Sequence, residues 1–92
     1  MFSGSIVVTI ELFGVPRLRA GLEVVQVEAT SLGEALRALA EACPALRTTV
    51  VDDGGLRPFY LVAINGAQLT ADPATPLADG DVVALVSADG GG

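Results

Sequence analysis

The sequence contains no histidine, no lysine and no tryptophan among its 92 residues, and it has a single cysteine, Cys43. Histidine is the commonest general base and metal ligand, while lysine forms Schiff bases and binds phosphates in Walker loops. Their absence excludes Ser-His-Asp and Cys-His catalysis, histidine zinc sites and lysine-based chemistry. Any reaction of this chain therefore uses an unusual group of its own or groups supplied by another protein.

The lone cysteine also bears on the compartment. Cys43 cannot form an intramolecular disulfide, whereas small secreted scaffolds usually carry an even number of cysteines. Residues 1–5 lack the basic start of a secretory signal and lead directly into a strand-like segment. We therefore expect a reducing, cytoplasmic location.

The charge balance argues against two kinds of partner. Eleven acidic residues against five basic ones leave a formal net charge of −6, the wrong sign for binding a nucleic-acid backbone or an anionic membrane. No apolar run approaches the roughly 18 residues of a transmembrane helix. We therefore expect no nucleic-acid and no membrane partner, and we expect protein partners with basic surfaces.

The length and the apolar content indicate one small folded domain. Apolar residues make up 51% of the 92 positions, which is too high a fraction for a disordered chain. A domain of this size buries about 60–65% of its unfolded surface, so it has no room for a large internal substrate cavity. Its function must reside on its surface or at its ends.

Hydrophobic periodicity predicts two strands at the start of the domain. Residues 6–13 alternate between apolar and polar side chains, which is typical of a half-buried strand. Gly14 and Pro16 interrupt this pattern, so we interpret residues 17–21 as a connection. Residues 22–28 are rich in β-branched side chains and predict a second strand that forms a hairpin with the first.

A capping-box motif then marks the start of a helix. Ser31 and Glu34 have the spacing at which the serine side chain caps the glutamate amide and the glutamate side chain reaches back to the cap. Apolar residues recur at spacings of three and four as far as Cys43, and Pro44 stops the pattern. We predict a helix over residues 32–42, with a buried structural thiol behind it.

The rest of the chain predicts three further strands. A continuous apolar strand over residues 59–64 leads through a tight turn at Asn65-Gly66 into a short return strand near Gln68 and Leu69. A turn at Asp79-Gly80-Asp81 then leads into a last strand over residues 82–86. Residues 45–51 stay open between a turn and a short helix, and residues 52–55 are predicted to be a loop. This order predicts an α+β domain over residues 1–86, with one main helix on a mixed four- or five-stranded sheet, followed by a flexible tail over residues 87–92.

The alternation in residues 59–64 leaves one question open. Side chains alternate between the two faces of a strand, so one of two sets faces away from the helix. The first set is Phe59, Leu61 and Ala63, and the second is Tyr60, Val62 and Ile64. Flanking loops could bury both sets, or one set could join Leu69 and Val86 in an exposed partner-binding patch. We favour the patch.

Several motifs spread over nearly the whole chain are shared with one known family: Leu12-Phe13-Gly14, Ser31-Leu32, Ala35-Leu36, Val62-Ala63-Ile64-Asn65-Gly66, Pro76-Leu77-Ala78-Asp79-Gly80-Asp81-Val82-Val83 and the final Gly91-Gly92. Through them the sequence resembles the ubiquitin-like sulfur carriers of the MoaD/ThiS type, which include the small subunit of molybdopterin synthase and the thiamine-biosynthesis sulfur carrier. The resemblance implies a β-grasp fold. It also implies a C-terminal carboxylate that is adenylated, converted to a thiocarboxylate and used to deliver sulfur.

The resemblance further implies the site and its partners. Gly92 would carry the reacting carboxylate next to Gly91, and the expected partner contacts are Phe13, Leu69, Val86, Asp89 and Gly90. The partners would be an E1-like adenylating enzyme and either the large subunit of molybdopterin synthase or another sulfur-accepting enzyme. The chain itself would bind no cofactor and no metal, because ATP and Mg²⁺ belong to the adenylating enzyme, and it would be a co-substrate that is not catalytic alone.

The small subunit of molybdopterin synthase is the first choice within this family. The chain departs from that type at Ser87-Ala88-Asp89, where such subunits commonly carry a Pro-Pro-Val-like segment. The alternatives are a sulfur carrier for thiamine, cysteine, tRNA or natural-product biosynthesis, and a ubiquitin-like modifier that forms an amide with a target lysine. An interaction module with an inert glycine tail is a third class.

Overall fold

The computed structural model describes residues 6–87. Its elements follow the order β1 (Val7–Leu12), α1 (Gly14–Ala20), β2 (Val24–Glu28), α2 (Leu32–Ala42), a 3-10 helix (Pro44–Leu46), β3 (Val51–Asp52), β4 (Gly55–Leu56), β5 (Tyr60–Ile64), β6 (Gln68–Thr70) and β7 (Val82–Ser87). Within this described part of the chain, no helix is long and apolar enough to cross a membrane.

The strands form one mixed sheet and a separate small hairpin. Five strands lie in the order β2-β1-β7-β5-β6, while β3 pairs with β4 and its Val51 also forms an isolated bridge with Arg47. The neighbours β1 and β7 are parallel, and the other pairs of the large sheet are antiparallel. A mixed five-stranded sheet with a helix packed on one face is the β-grasp arrangement, so the predicted α+β fold is confirmed.

The core lies between α2 and one face of the sheet. The predicted period-two pattern of the first strand is confirmed, because alternate residues of β1 are buried. The side chains that meet there are those of Leu32, Leu36 and Leu39 from α2 and of Val8, Ile10, Leu12, Val62, Ile64, Val83 and Leu85 from the strands. Burying each large aliphatic side chain stabilises the fold by about 1.5–3 kcal/mol, so this layer is the main source of stability.

The capping box is present with one change of partner. The backbone N–H of Glu34 donates to Ser31 Oγ at 3.2 Å, as predicted. Glu34 Oε1 accepts from the backbone N–H of Thr30 at 2.7 Å and from its hydroxyl at 2.9 Å, one residue before the cap. Helix α2 begins at Leu32 and ends at Ala42, so the predicted bounds are confirmed.

The interpretation of residues 17–21 as a connection is wrong, because Gly14–Ala20 form the helix α1. Pro16 lies in the first turn, where backbone N–H groups have no partner within the helix, and proline costs nothing there. Gly21 ends α1 in the left-handed conformation, with φ 72°, and its N–H donates to the Arg17 carbonyl. Residues that read as strand breakers are thus the start and stop signals of a short helix.

Other boundaries also differ from expectation: β2 begins at Val24 and β5 at Tyr60, later than predicted. Residues 52–55, predicted as a loop, include the paired ends of β3 and β4, and the turn between them is formed by Asp53 and Gly54, both with positive φ. Ser87, assigned to the tail, is the last residue of β7 and pairs with Tyr60. Each of these strand ends depends on a partner strand, which the local sequence does not reveal.

Candidate functional site: the outer sheet face and the end of β7

The face of the sheet opposite α2 carries an apolar patch. Leu61 of β5 lies opposite Val86 of β7, and Ala63 lies between Leu69 on one side and Ala84 on the other. None of these five side chains is buried. We call Leu61, Ala63, Leu69, Ala84 and Val86 the outer apolar patch.

The same face becomes polar toward the other edge of the sheet. On β1 and β2 the outward positions include Thr9, Glu11, Gln26 and Glu28, and the Gln26 amide donates to the Thr9 hydroxyl at 3.3 Å. The outer apolar patch on β5, β6 and β7 is therefore bordered by polar groups on the β1 side, while Val24 on β2, opposite Glu11, is a separate exposed apolar side chain. An exposed apolar area with a polar rim is typical of a protein–protein contact surface.

The three predicted docking residues within the described range, Phe13, Leu69 and Val86, are not buried, but they do not form a single cluster. Phe13 follows Leu12, which pairs with Leu85, and it is the N-cap residue of α1. Its side chain is 47% exposed, and that of Leu69 is 68% exposed. Leu69 lies on the edge strand β6, separated from β7 by β5. Phe13 and Val86 therefore lie at the same end of the sheet, whereas Leu69 lies on the far edge strand, and their docking role stays a prediction.

The predicted reacting end lies beyond the described residues. Asp89, Gly90, Gly91 and Gly92 all fall outside them, and the last described residue is Ser87 at the end of β7. Strand β7 is central, between β1 and β5, so the chain leaves from the middle of the sheet. The remaining five residues span at most about 17–18 Å when extended. Any protein that holds the terminal carboxylate must therefore come close to this end of the sheet.

The turns at the end of the sheet where β7 begins are held by the acidic residues that precede this strand. Asp81 accepts a backbone hydrogen bond from Ala78 at 2.8 Å and one from the Asn65 side chain at 2.9 Å. These bonds, the Ala78 one foremost, lower the pKa of Asp81 below its ordinary value. The carboxylate of Asp79 accepts from the Val7 backbone at 2.9 Å. These side chains stabilise turns, and residues 6–87 contain no group of three or more potential metal-ligating side chains.

Cys43 is buried in the core, as predicted from its place on the apolar side of the helix. Burial raises the pKa of its thiol, which keeps the sulfur protonated and unreactive at neutral pH. The only thiol of the chain is therefore a core side chain, and it lacks the exposure and the lowered pKa of a reactive cysteine.

A second set of exposed apolar side chains was not found from the sequence. It surrounds α1 and the start of β2, and it consists of Val15, Leu18, Leu22 and Val24. The set was missed because α1 was interpreted as a connection. The signal that could have revealed it is Gly21 at a helix C-terminal position, seven residues after Gly14. These residues lie at the same end of the sheet as Ser87, because β1 and β7 are parallel.

Comparison with known proteins identifies a matching family and several similar structures. The model of the ThiS family matches residues 10–92. The chain is similar to small archaeal modifier protein 1 of Haloferax volcanii, with 34% identity, a TM-score of 0.76, and coverage of 89% of this chain and 97% of that one. It is also similar to a chain in the complex of subunits 1 and 2 of the molybdopterin-converting factor from Helicobacter pylori, with 26% identity, a TM-score of 0.59, and coverage of 89% and 93%.

A chain of the BexX/CysO complex from Amycolatopsis orientalis shares the fold at 18% identity, with a TM-score of 0.74 and coverage of 88% of this chain and 94% of that one. A search of curated proteins found no match.

Proposed function

The chain belongs to the ThiS family, and on that premise we propose that it is a carrier activated at its C-terminal glycine, Gly92, by an E1-like adenylating enzyme. A carboxylate oxygen of Gly92 attacks the α-phosphorus of ATP, and pyrophosphate leaves. The acyl adenylate is then open to attack by a nucleophile, which displaces AMP. ATP and Mg²⁺ are held by the adenylating enzyme, and this chain is the co-substrate.

The observation that carries the proposal is the position of β7. The strand that leads to the Gly-Gly end is central in the sheet, and its outward residues Ala84 and Val86 belong to the outer apolar patch. A partner that docks on this patch is thereby placed beside the point where the last five residues leave the domain. Binding energy from the patch can thus orient the terminal carboxylate without any catalytic side chain on this chain.

Two classes of nucleophile are open to the activated glycine. A lysine amine of a target protein displaces AMP and gives an amide, as expected of a modifier, and hydrosulfide displaces AMP and gives a thiocarboxylate, as expected of a sulfur carrier. The similarity to small archaeal modifier protein 1, at 34% identity, supports the modifier role more strongly than the similarity to the molybdopterin-converting factor, at 26%, supports the small-subunit role. We therefore propose protein modification as the first function.

Sulfur donation is the second candidate, and the small subunit of molybdopterin synthase is one form of it. Carriers for thiamine, cysteine, tRNA or natural-product biosynthesis are others. The likeness to the Helicobacter pylori chain supports this candidate.

In the modifier role, the absence of lysine prevents lysine-linked chains on this protein itself. We then expect single additions on target lysines.

Intact mass spectrometry of the protein isolated from its native cell tests both candidates. A branched conjugate through Gly92 to a target lysine supports the modifier, and replacement of one terminal oxygen by sulfur supports the carrier. A variant lacking Gly91 and Gly92 is the control, and it should yield neither species. An unmodified chain in cells that contain the adenylating enzyme would contradict the whole proposal.

A further inference from the structure

The turn that leads into β5 has an unusual residue at its third position. Arg57-Pro58-Phe59-Tyr60 form a β-turn in which the Tyr60 N–H donates to the Arg57 carbonyl at 3.3 Å. Phe59 has a φ of 80°, and with proline before it this is the geometry of a type II turn. That position normally takes glycine or asparagine, because a Cβ in the left-handed region crowds the backbone.

Burial within the domain does not compensate for this strain. The Phe59 side chain is 72% exposed and is not part of the hydrophobic core. Glycine at this position would relieve the strained φ and remove an exposed aromatic ring from water. A residue that breaks the local conformational rule without a gain inside the fold points to a role outside it.

The location of Phe59 indicates what that role is. Tyr60 pairs with Ser87, and β5 and β7 are antiparallel. Phe59 therefore lies one residue beyond Tyr60 in the direction in which β7 runs, at the point where the chain leaves the sheet. A protein that binds Gly92 works within about 17–18 Å of Ser87, so its surface is within reach of this ring.

We propose that Phe59 is a contact residue for the enzyme that activates Gly92, and that its ring enters an apolar recess beside the mouth of that enzyme's adenylating cleft. The inference rests on the proposed function and extends it to a defined side chain. An exposed aromatic ring that becomes buried only in a complex is typical of residues that dominate binding. The exposed apolar side chains of Phe13, Val15 and Leu18 at the same end of the sheet suit an apolar partner surface there.

The test is pyrophosphate exchange by the cognate adenylating enzyme, with the full-length chain as the varied substrate. For Phe59→Gly and Phe59→Ala we expect the KM for this chain to rise by about tenfold while kcat stays within about twofold, because the ring contributes to binding and the Gly92 carboxylate is unchanged. Phe59→Tyr keeps the ring and should restore a KM within about twofold of the wild type. The melting temperature of Phe59→Gly should not fall, since the turn favours glycine.

Thr48→Gly is the matched control, because Thr48 is also a non-glycine residue at positive φ, 63°, and it lies in the connection before β3. It makes the same kind of backbone change and keeps Phe59, so we expect a wild-type KM. A wild-type KM in Phe59→Gly would overturn the contact and leave the proposed function standing. Failure of the enzyme to adenylate even the wild-type chain would overturn the proposed function and this inference together.

One further outcome concerns a different occupant of the same surface. If the chain dimerises in sedimentation experiments, and Phe59→Ala abolishes the dimer without changing the KM, the ring contacts a second copy. That result would also overturn the proposal. A monomeric wild type with the predicted KM changes would support it.

Discussion

Replacing Leu39 with alanine tests whether α2 stabilises the domain in the way its packing indicates. The Leu39 side chain is fully buried between α2 and the sheet, with 0% of its surface exposed. Leu→Ala at such sites costs about 3–5 kcal/mol, which combines the lost transfer free energy with the cavity left behind. A domain of this length has a total unfolding free energy of about 5–14 kcal/mol. The substitution therefore removes a large share of the stability.

The expected shift is large enough to measure directly. A loss of 1 kcal/mol lowers the melting temperature of a small domain by about 4–8 °C, so Leu39→Ala should lower it by at least about 12 °C. Leu18→Ala is the matched control, because it makes the same chemical change on α1 at a side chain that is 81% exposed. Its effect should stay within about 0.5 kcal/mol. Thermal and urea unfolding followed by circular dichroism measure both, and equal shifts in the two variants would refute the assignment of the core.

Three more predictions concern the candidate site and the helix cap. Val86→Asp should weaken binding to the adenylating enzyme by about tenfold or more in calorimetric titration, because it puts a charge in the outer apolar patch; an unchanged Kd would contradict the patch. Deleting Gly92 should leave the melting temperature unchanged and lower the adenylation rate by on the order of a hundredfold, since the new terminus stops short of the ATP α-phosphate; full activity would show that reach does not matter. Glu34→Gln should reduce the loss of stability on acidification: hydrogen bonds from Thr30 lower the pKa of Glu34 below its ordinary value, so its contribution is present above that ordinary, unfolded-state pKa and disappears as the pH falls through the lower folded pKa. Melting temperatures of the wild type and Glu34→Gln should therefore converge near the acid end of a pH series, and a constant difference would contradict the assignment.

Local signals in the sequence were sufficient for several elements. The spacing of Ser31 and Glu34 and the stop at Pro44 predicted the bounds of α2, because capping and helix termination involve residues only a few positions apart. Asn65-Gly66 predicted the tight turn after β5, because both residues tolerate the positive φ that this turn requires. The missing histidine and lysine excluded the common side-chain catalysts, because that is a property of composition alone, whereas the role of the Gly-Gly end was expected only from the resemblance to a known family.

The tertiary structure decided the features that depend on distant residues. Alternation in residues 59–64 was compatible with two opposite faces, and only the pairing of Leu61 with Val86 and the position of α2 determine which side chains stay accessible. Helix α1 was hidden because its first-turn proline also reads as a strand breaker. The central position of β7 comes from its parallel pairing with β1, about seventy residues earlier in the chain, and no local pattern encodes such a pairing. By itself the sequence therefore determined the local elements, while long-range strand pairing decided where β7 ends in the sheet and which apolar surface lies beside it.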